Sequence, residues 1–337
     1  MKKRAVLLVN LGSPDTATPA AVRRYLHQFL MDRYVIQLPW LLRKLIVCLF
    51  VLPRRPKTTA AAYQSIWTKQ GSPLIALSQQ LRDDLAAQVD MPVEIAMRYG
   101  HPSIEQQLQQ LAQQGYQDIL FIPLYPHFAE STVTTAVEAA ENAIKKQRLA
   151  INLDIVPPFY DNADYIAALV ASAQPYLQQE FDHLLFSYHG LPESHINKLD
   201  PRGQHPFDRE DCCQGDESMQ ALCYRHQVLR TTQCFVAQAD LRGRPYSVAF
   251  QSRLGRAKWL GPSTEESLIK LAQDGVKKVV VICPAFTTDC LETLEEIRLA
   301  GAKTFQQAGG ESLIQIPCLN THPAWVDVLK RWCQSTT

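Results

Sequence analysis

A histidine and a row of carboxylates are the residues of this chain best suited to chemistry at neutral pH. His189 stands in Ser187-Tyr188-His189-Gly190-Leu191-Pro192, where an apolar run gives way to a Gly-Leu-Pro turn. An imidazole so placed is partly buried and free to exchange protons near neutrality, although a histidine at a strand end also fits a purely structural part. Glu292, Glu295 and Glu296 follow Asp289-Cys290-Leu291 at i, i+3 and i+4, so Glu292 and Glu296 share one helix face beside the positive end of the helix dipole. Asp289 and Glu292 also have the spacing of a capping box, an explanation that needs no chemistry. Clustered carboxylates repel, and such clusters serve metals or protons. A neutral imidazole with one or two carboxylates suits ferrous iron, which accepts nitrogen and oxygen ligands. A site of this kind is weak and open, fit for handing a metal on.

Elements must bring these groups together. Residues 5–11 form a continuous apolar run suited to a strand buried on both faces, and Thr18-Pro19 opens a helix with Val22, Leu26, Phe29 and Leu30 at helical spacing. Further strands are predicted at 93–97, 118–124, 151–156, 183–188, 246–251, 278–283 and 312–317, each but the last leading into a helical stretch. Such alternation implies an α/β doubly wound architecture, its parallel sheets covered on both sides. The halves also echo one another. Leu111-Ala112-Gln113-Gln114-Gly115 before Ile119–Ile122 is matched by Leu271-Ala272-Gln273-Asp274-Gly275 before Val279–Ile282. Internal duplication and the general likeness of βα units both account for this. Open α/β sheets bind ligands beyond the carboxyl ends of their strands. The unusual residues gather there: Asn10, Arg98, Tyr99 and Tyr125 in the first half, His189, Gln251, Ser252 and Glu292 in the second. Two such edges facing each other would make one deep cleft.

The 337 residues, 46% apolar and 20% charged, predict a folded protein of two units and argue against disorder. With 34 basic and 33 acidic side chains the net charge is near +1, which excludes the concentrated positive charge of a nucleic-acid binder. No G-x-G-x-x-G follows the first strand and no P-loop motif occurs, so nucleotide readings have no support. Nine mostly scattered cysteines and an opening apolar run that ends at Asn10 without a cleavage site predict a cytoplasmic protein with reduced thiols. Residues 39–53 are too short, and too charged at Arg43 and Lys44, to span a bilayer. Five basic and no acidic residues between Tyr34 and Lys57 fit an interfacial helix or apolar lid with basic anchors. A core helix followed by a solvated basic loop is the plainer reading.

Several ordered motifs together resemble the ferrochelatases, enzymes that insert ferrous iron into a porphyrin to make haem. They are Leu-Val-Asn-Leu-Gly-Ser-Pro at 8–14, Arg98-Tyr99-Gly100-His101-Pro102, Pro123–Phe128, Ser187–Pro192, Gln251–Gly255 with Trp259–Pro262, and Pro284–Leu294. The resemblance runs almost end to end. It implies two Rossmann-like domains around a porphyrin cleft, each a parallel four-stranded sheet flanked by helices. The first, 1–160, carries an apolar lip at 34–53; the second, 161–337, carries a cysteine-containing insertion at 200–225. By the resemblance His189 and Glu292 face each other across the macrocycle and touch the metal, with Glu296 further along. His189 would accept protons, and Glu292 with Glu296 would deliver metal or lead protons out. Asn10, Arg98, Tyr99, Tyr125 and Trp259 match positions that bind or line the substrate, and Arg55 matches an arginine near the cleft mouth able to pair with a propionate.

Two departures accompany the match. Where the family often has a second histidine two residues before the glutamate, this chain has Cys290. Cys212, Cys213 and Cys223 resemble a segment that holds a two-iron iron–sulfur cluster in some bacterial relatives, but such a cluster takes four ligands. His205 or Cys234 would have to complete the set, and a degenerate remnant is the alternative. The implied activity is insertion of Fe2+ into protoporphyrin IX, the last step of haem biosynthesis, with iron as substrate and no dissociable cofactor. Porphyrin, ferrous iron and peripheral contact with the inner membrane are the expected partners, as monomer or homodimer and without nucleic acid. The alternatives are a chelatase for coproporphyrin or another tetrapyrrole, or a non-catalytic porphyrin- or haem-binding protein.

Overall fold

The computed structural model describes residues 3–200, 212, 217–253 and 257–335. The apolar runs become strands and the amphipathic stretches become helices. The first half contains β1 (Lys3–Gly12), α1 (Pro19–Leu30), α2 (Trp40–Leu45) continuing as a π-helix at Ile46–Val51, α3 (Arg55–Ile66) and α4 (Pro73–Ala86). It goes on through β2 (Val93–Tyr99), α5 (Ile104–Gln113), β3 (Tyr116–Pro123), α6 (Thr135–Gln147) and β4 (Asn152–Ile155). The second half contains α7 (Ala163–Leu177), β5 (His183–His189), α8 (Glu193–Asn197), α9 (Glu217–Gln220), α10 (Tyr224–Gln238) and β6 (Tyr246–Gln251). Then come α11 (Thr264–Gln273), β7 (Lys278–Ile282), a π-helix at Glu292–Gly301 continuing as α12 (Ala302–Gln307), β8 (Ser312–Gln315) and α13 (Pro323–Gln334).

Two four-stranded parallel sheets result, ordered β2-β1-β3-β4 and β6-β5-β7-β8. The same order in both agrees with the echo in the sequence, which extends to fine detail. Ser103 Oγ caps α5 by accepting the Gln106 N–H, and Ser263 Oγ caps α11 by accepting the Glu266 N–H. Both helices run out into a glycine with positive φ, Gly115 at 85° and Gly275 at 91°, where a side chain would be strained. The central strands β1 and β5 are covered on both faces, with Ala5 to Val9 and Leu184 to Phe186 all buried. That burial is the reason their sequences are unbroken apolar runs.

The chain divides into two compact units. One holds Met1–Tyr125, Ala129–Pro157 and Leu329–Thr337; the other holds Pro126–Phe128 and Pro158–Val328. The single cut expected after residue 160 is thus replaced by a crossing near Pro157, a short excursion at 126–128 and a return of the last nine residues to the first unit.

The segment at 39–53 is a helix, but not a core helix. Trp40, Leu41, Leu42, Leu45, Leu49 and Phe50 all stay exposed, Leu41, Leu49 and Phe50 to more than 60%. Arg43, expected as a surface anchor, turns inward and donates to the carbonyls of Ile36 and Leu38 at 3.1 and 3.2 Å, closing the loop that leads into the helix. Lys44 instead lies over the Trp40 ring, 4.7 Å from its centroid. Among the described residues no helix is long and apolar enough to cross a membrane.

Candidate active site

His189 ends β5, and its ring is held by its own turn. Nδ1 stands 2.6 Å from the Gly190 carbonyl oxygen, so the proton sits on Nδ1 and Nε2 keeps its lone pair. The Gly190 N–H donates to the Gln251 carbonyl at 2.8 Å. A Cβ at Gly190 would stand 2.9 Å from that oxygen and 3.2 Å from Trp259 Cε3, so the glycine lets β6 and the tryptophan approach the histidine's turn. Burial pushes the imidazole pKa down, while the Glu292 charge and then the Gly190 carbonyl push it up. Burial wins, which leaves a neutral base.

The carboxylates stand on the π-helix Glu292–Gly301 rather than on the α-helix that their spacing predicts. Bonding from i to i+5 widens the turn, so residues four apart fall just short of one revolution and Glu292 and Glu296 remain neighbours. Burial first, and then the charge of Glu292, raise the Glu296 pKa to about 7, against the hydrogen bond from Ser252. Burial and the same neighbour also raise Glu295. Ser252 donates its hydroxyl to Glu296 Oε2 from a backbone with φ of 65°, a conformation uncommon outside glycine and one that marks functional positions.

Gln251 ties the two groups together. Its Nε2 donates to the Glu292 carbonyl at 2.8 Å, and its Oε1 accepts the Ser187 hydroxyl at 2.6 Å. Asp289 fixes the approach to the π-helix from behind. It is buried and accepts hydrogen bonds from Thr293 Oγ1 at 2.8 Å, Asn320 Nδ2 at 2.7 Å and Gln315 Nε2 at 3.3 Å. These side chains occupy both carboxylate oxygens, so the capping box does not form; Leu291 holds the N-cap position with no side-chain cap. The Cys290 thiol is buried, and burial together with the adjacent Glu292 charge pushes its pKa up. Among the described residues no three His, Cys, Asp or Glu side chains converge as a metal cage, and His189 is near enough to Glu292 to feel its charge.

The strand edge of the first unit is built differently. Asn10 is buried at the end of β1, with Nδ2 3.4 Å from Ser78 Oγ and Oδ1 accepting the Leu11 N–H. Arg98 and Tyr99 end β2, and both bind the buried Asp32: Arg98 through Nη2, Tyr99 through its hydroxyl at 2.9 Å. Arg98 Nε also donates to Thr135 Oγ1 at 2.8 Å, which leaves one edge of the guanidinium for other work. Tyr125 is buried, and its hydroxyl has no hydrogen-bond partner among the described residues. Arg55 opens α3 and is exposed just beyond the apolar π-helix.

In the cysteine segment, Cys223 is buried and caps α10, its Sγ accepting the His226 N–H at 3.4 Å. Arg225 donates to Cys212 Sγ. Cys213 and His205 lie outside the described residues. Cys234 sits about 16 Å further along α10 than Cys223, too far to share a two-iron cluster with it.

A model of the ferrochelatase family matches residues 3–337. The chain belongs to the ferrochelatase family. It is 52% identical over 336 residues to the ferrochelatase of Pseudomonas fluorescens (strain Pf0-1), covering 99% of this chain and 98% of the relative. The ferrochelatase of Azotobacter vinelandii is 52% identical over 337 residues, covering 99% of each. Among solved structures, SirB from Bacillus subtilis with Fe3+ superposes with a TM-score of 0.54 at 13% identity, covering 98% of this chain and 93% of that one. The sirohydrochlorin chelatase SirB of Bacillus subtilis subspecies spizizenii in complex with cobalt gives 0.53 at 12%, covering 96% and 91%. At that identity the likeness concerns the fold alone, and it is the chelatase fold.

In this ferrochelatase fold the sequence-predicted His189, Glu292, Glu296 and Trp259 belong to one unit, and the charge of Glu292 acts on both His189 and Glu296. Asn10, Arg55, Arg98, Tyr99 and Tyr125 belong to the other. Sequence reasoning placed Gln251 and Ser252 at a strand edge without giving them a task. It missed Asp32 altogether, because an aspartate at a helix end carries no sign of the arginine it will meet 66 residues later.

Proposed function

We propose that this protein inserts ferrous iron into protoporphyrin IX, with release of two protons, to give protohaem. The family match over residues 3–337, in a chain that keeps His189, Glu292 and Glu296 together, is the observation that carries this reading. Insertion requires two pyrrole N–H protons to leave as the metal enters. Nε2 of neutral His189 takes the proton, since Nδ1 is committed to Gly190. Glu292 brings the metal, and Glu296, with its pKa near 7, passes protons outward along the π-helix. A planar macrocycle hides its nitrogen lone pairs, so binding energy from the ring's periphery goes into bending it. Arg55 pairs with a propionate at the mouth, and Asn10, Arg98, Tyr99, Tyr125 and Trp259 bind the ring. The exposed apolar surface of residues 38–50 favours the less carboxylated porphyrin and a peripheral contact with the inner membrane.

The cysteine segment suits a two-iron cluster in part. Cys212 accepts a hydrogen bond from Arg225, and Cys223 stands at the start of α10. With Cys213 they would supply three ligands. A cluster there supplies electron capacity, which the insertion reaction, redox-neutral as written, does not use.

Mixing the protein anaerobically with Fe2+ and either protoporphyrin or coproporphyrin, and following loss of free-base absorption, tests the function. Insertion into protoporphyrin is expected, and His189→Ala should bind porphyrin without metallating it. Binding of either porphyrin with no insertion by the unaltered protein would mean a non-catalytic porphyrin carrier.

A further inference from the structure

Helix α10 makes a contact with the histidine that the proposed mechanism leaves unused. Tyr224, first residue of that helix, is buried, and its hydroxyl donates to the His189 carbonyl oxygen at 2.9 Å. The other end of the same peptide is held too, because the Gly190 N–H donates to the Gln251 carbonyl. The peptide between His189 and Gly190 is therefore clamped from two sides, by β6 and by α10. Next along the chain, the Gly190 carbonyl holds Nδ1 of the imidazole, and the Leu191 carbonyl accepts the Leu260 N–H at 2.9 Å. Rotation of the clamped peptide would carry the Gly190 carbonyl, and with it the ring, away from its place.

The phenol is itself well seated. His127 packs edge-on against Tyr224 and Tyr188, with ring centroids 5.7 and 5.5 Å apart, and its Nε2 lies 2.9 Å from Thr231 Oγ1 of the same helix. Burial raises the Tyr224 pKa, so the hydroxyl keeps its proton and remains a donor. We infer that Tyr224 is a positioning residue for the reaction: its hydroxyl clamps the His189–Gly190 peptide and so aims the Nε2 lone pair of His189. The inference rests on His189 being the proton acceptor.

Tyr224→Phe keeps the ring and removes the donor. The expected result is a kcat about tenfold lower with an unchanged Kd for protoporphyrin, because the ring-binding surfaces are untouched. Thr232→Val is the control, since Thr232 bonds Tyr188 from the same helix without touching the clamped peptide. It should lower Tm and leave kcat intact. The 15N resonances of the imidazoles give a second reading, with the His189 signal assigned by its loss in His189→Ala. In Tyr224→Phe that signal should lose its single protonated-Nδ1 form while the His127 signal stays. Unaltered kcat in Tyr224→Phe, or an equal loss in Thr232→Val, would overturn the clamp. Retained turnover in His189→Ala would instead remove the proton-acceptor reading, and the imidazole resonance alone would then decide for or against the clamp.

Discussion

A carboxylic acid held near a pKa of 7 exchanges protons at the pH of the cell, which an ordinary glutamate does not. For Glu296 the sign of the effect on stability follows from linkage. Its folded pKa lies above the ordinary 4.5, so folding takes up a proton between the two values. The stabilisation is complete below pH 4.5 and is lost as pH rises through about 7, on the order of 3 kcal/mol in all. Activity should run the other way, because only the ionised form accepts protons leaving the porphyrin. Glu296→Gln is expected to remove the Glu296 part of both dependences. His127, His183 and His189, whose pKa values burial lowers, titrate alike in both proteins, so the urea midpoint of the unaltered protein relative to the variant should fall from pH 5 to pH 8. In the variant kcat should lose its rise near pH 7 together with at least tenfold of its size. A variant whose kcat kept the full rise would move the proton path to Glu295 or elsewhere.

At the scale of elements, the cap of α10 is Cys223, the same residue that would hold the proposed cluster. Serine is a better cap than cysteine and a poor iron–sulfur ligand. Cys223→Ser should therefore keep the far-ultraviolet circular dichroism and Tm, and should abolish any visible cluster absorption seen in anaerobically purified protein. A loss of Tm by several degrees with absorption retained would make the thiol structural only. The same scale shows what a sequence discloses. All eight predicted strands are present, because a strand buried on both faces must be a local apolar run, and the Ser103 and Ser263 caps are equally local. The π-helix was not legible, since glutamates at i, i+3 and i+4 read alike in either helix and only the hydrogen-bonding distinguishes them. Nor was the positive φ of Ser252, or the Tyr224 bond to a carbonyl 35 residues earlier. Such features come from tertiary packing, which periodicity does not encode. Arg43 failed for the same reason: its basic type predicts water, and its position in a tight loop puts it on carbonyls instead.

For the whole molecule, a net charge near +1 offers no general attraction to an anionic surface, so membrane contact has to come from one patch. Exposed Trp40, Leu41, Leu42, Leu45, Leu49 and Phe50 would supply the proposed contact, and Arg54, Arg55 and Lys57 follow directly in the chain. Each leucine or phenylalanine that enters the acyl boundary contributes about 2 kcal/mol, and each cation near the headgroups about 1 kcal/mol at low salt. The apolar side chains therefore dominate, and binding should survive salt. In flotation with vesicles containing phosphatidylglycerol, Leu49→Ser with Phe50→Ser should weaken partitioning at least tenfold at both low and high salt. Arg54→Gln with Lys57→Gln should weaken it only at low salt, because charges in water are screened within about 10 Å at 0.1 M. If the serine pair floats as well as the unaltered protein, the patch does not face the bilayer, and its apolar surface then serves the porphyrin alone.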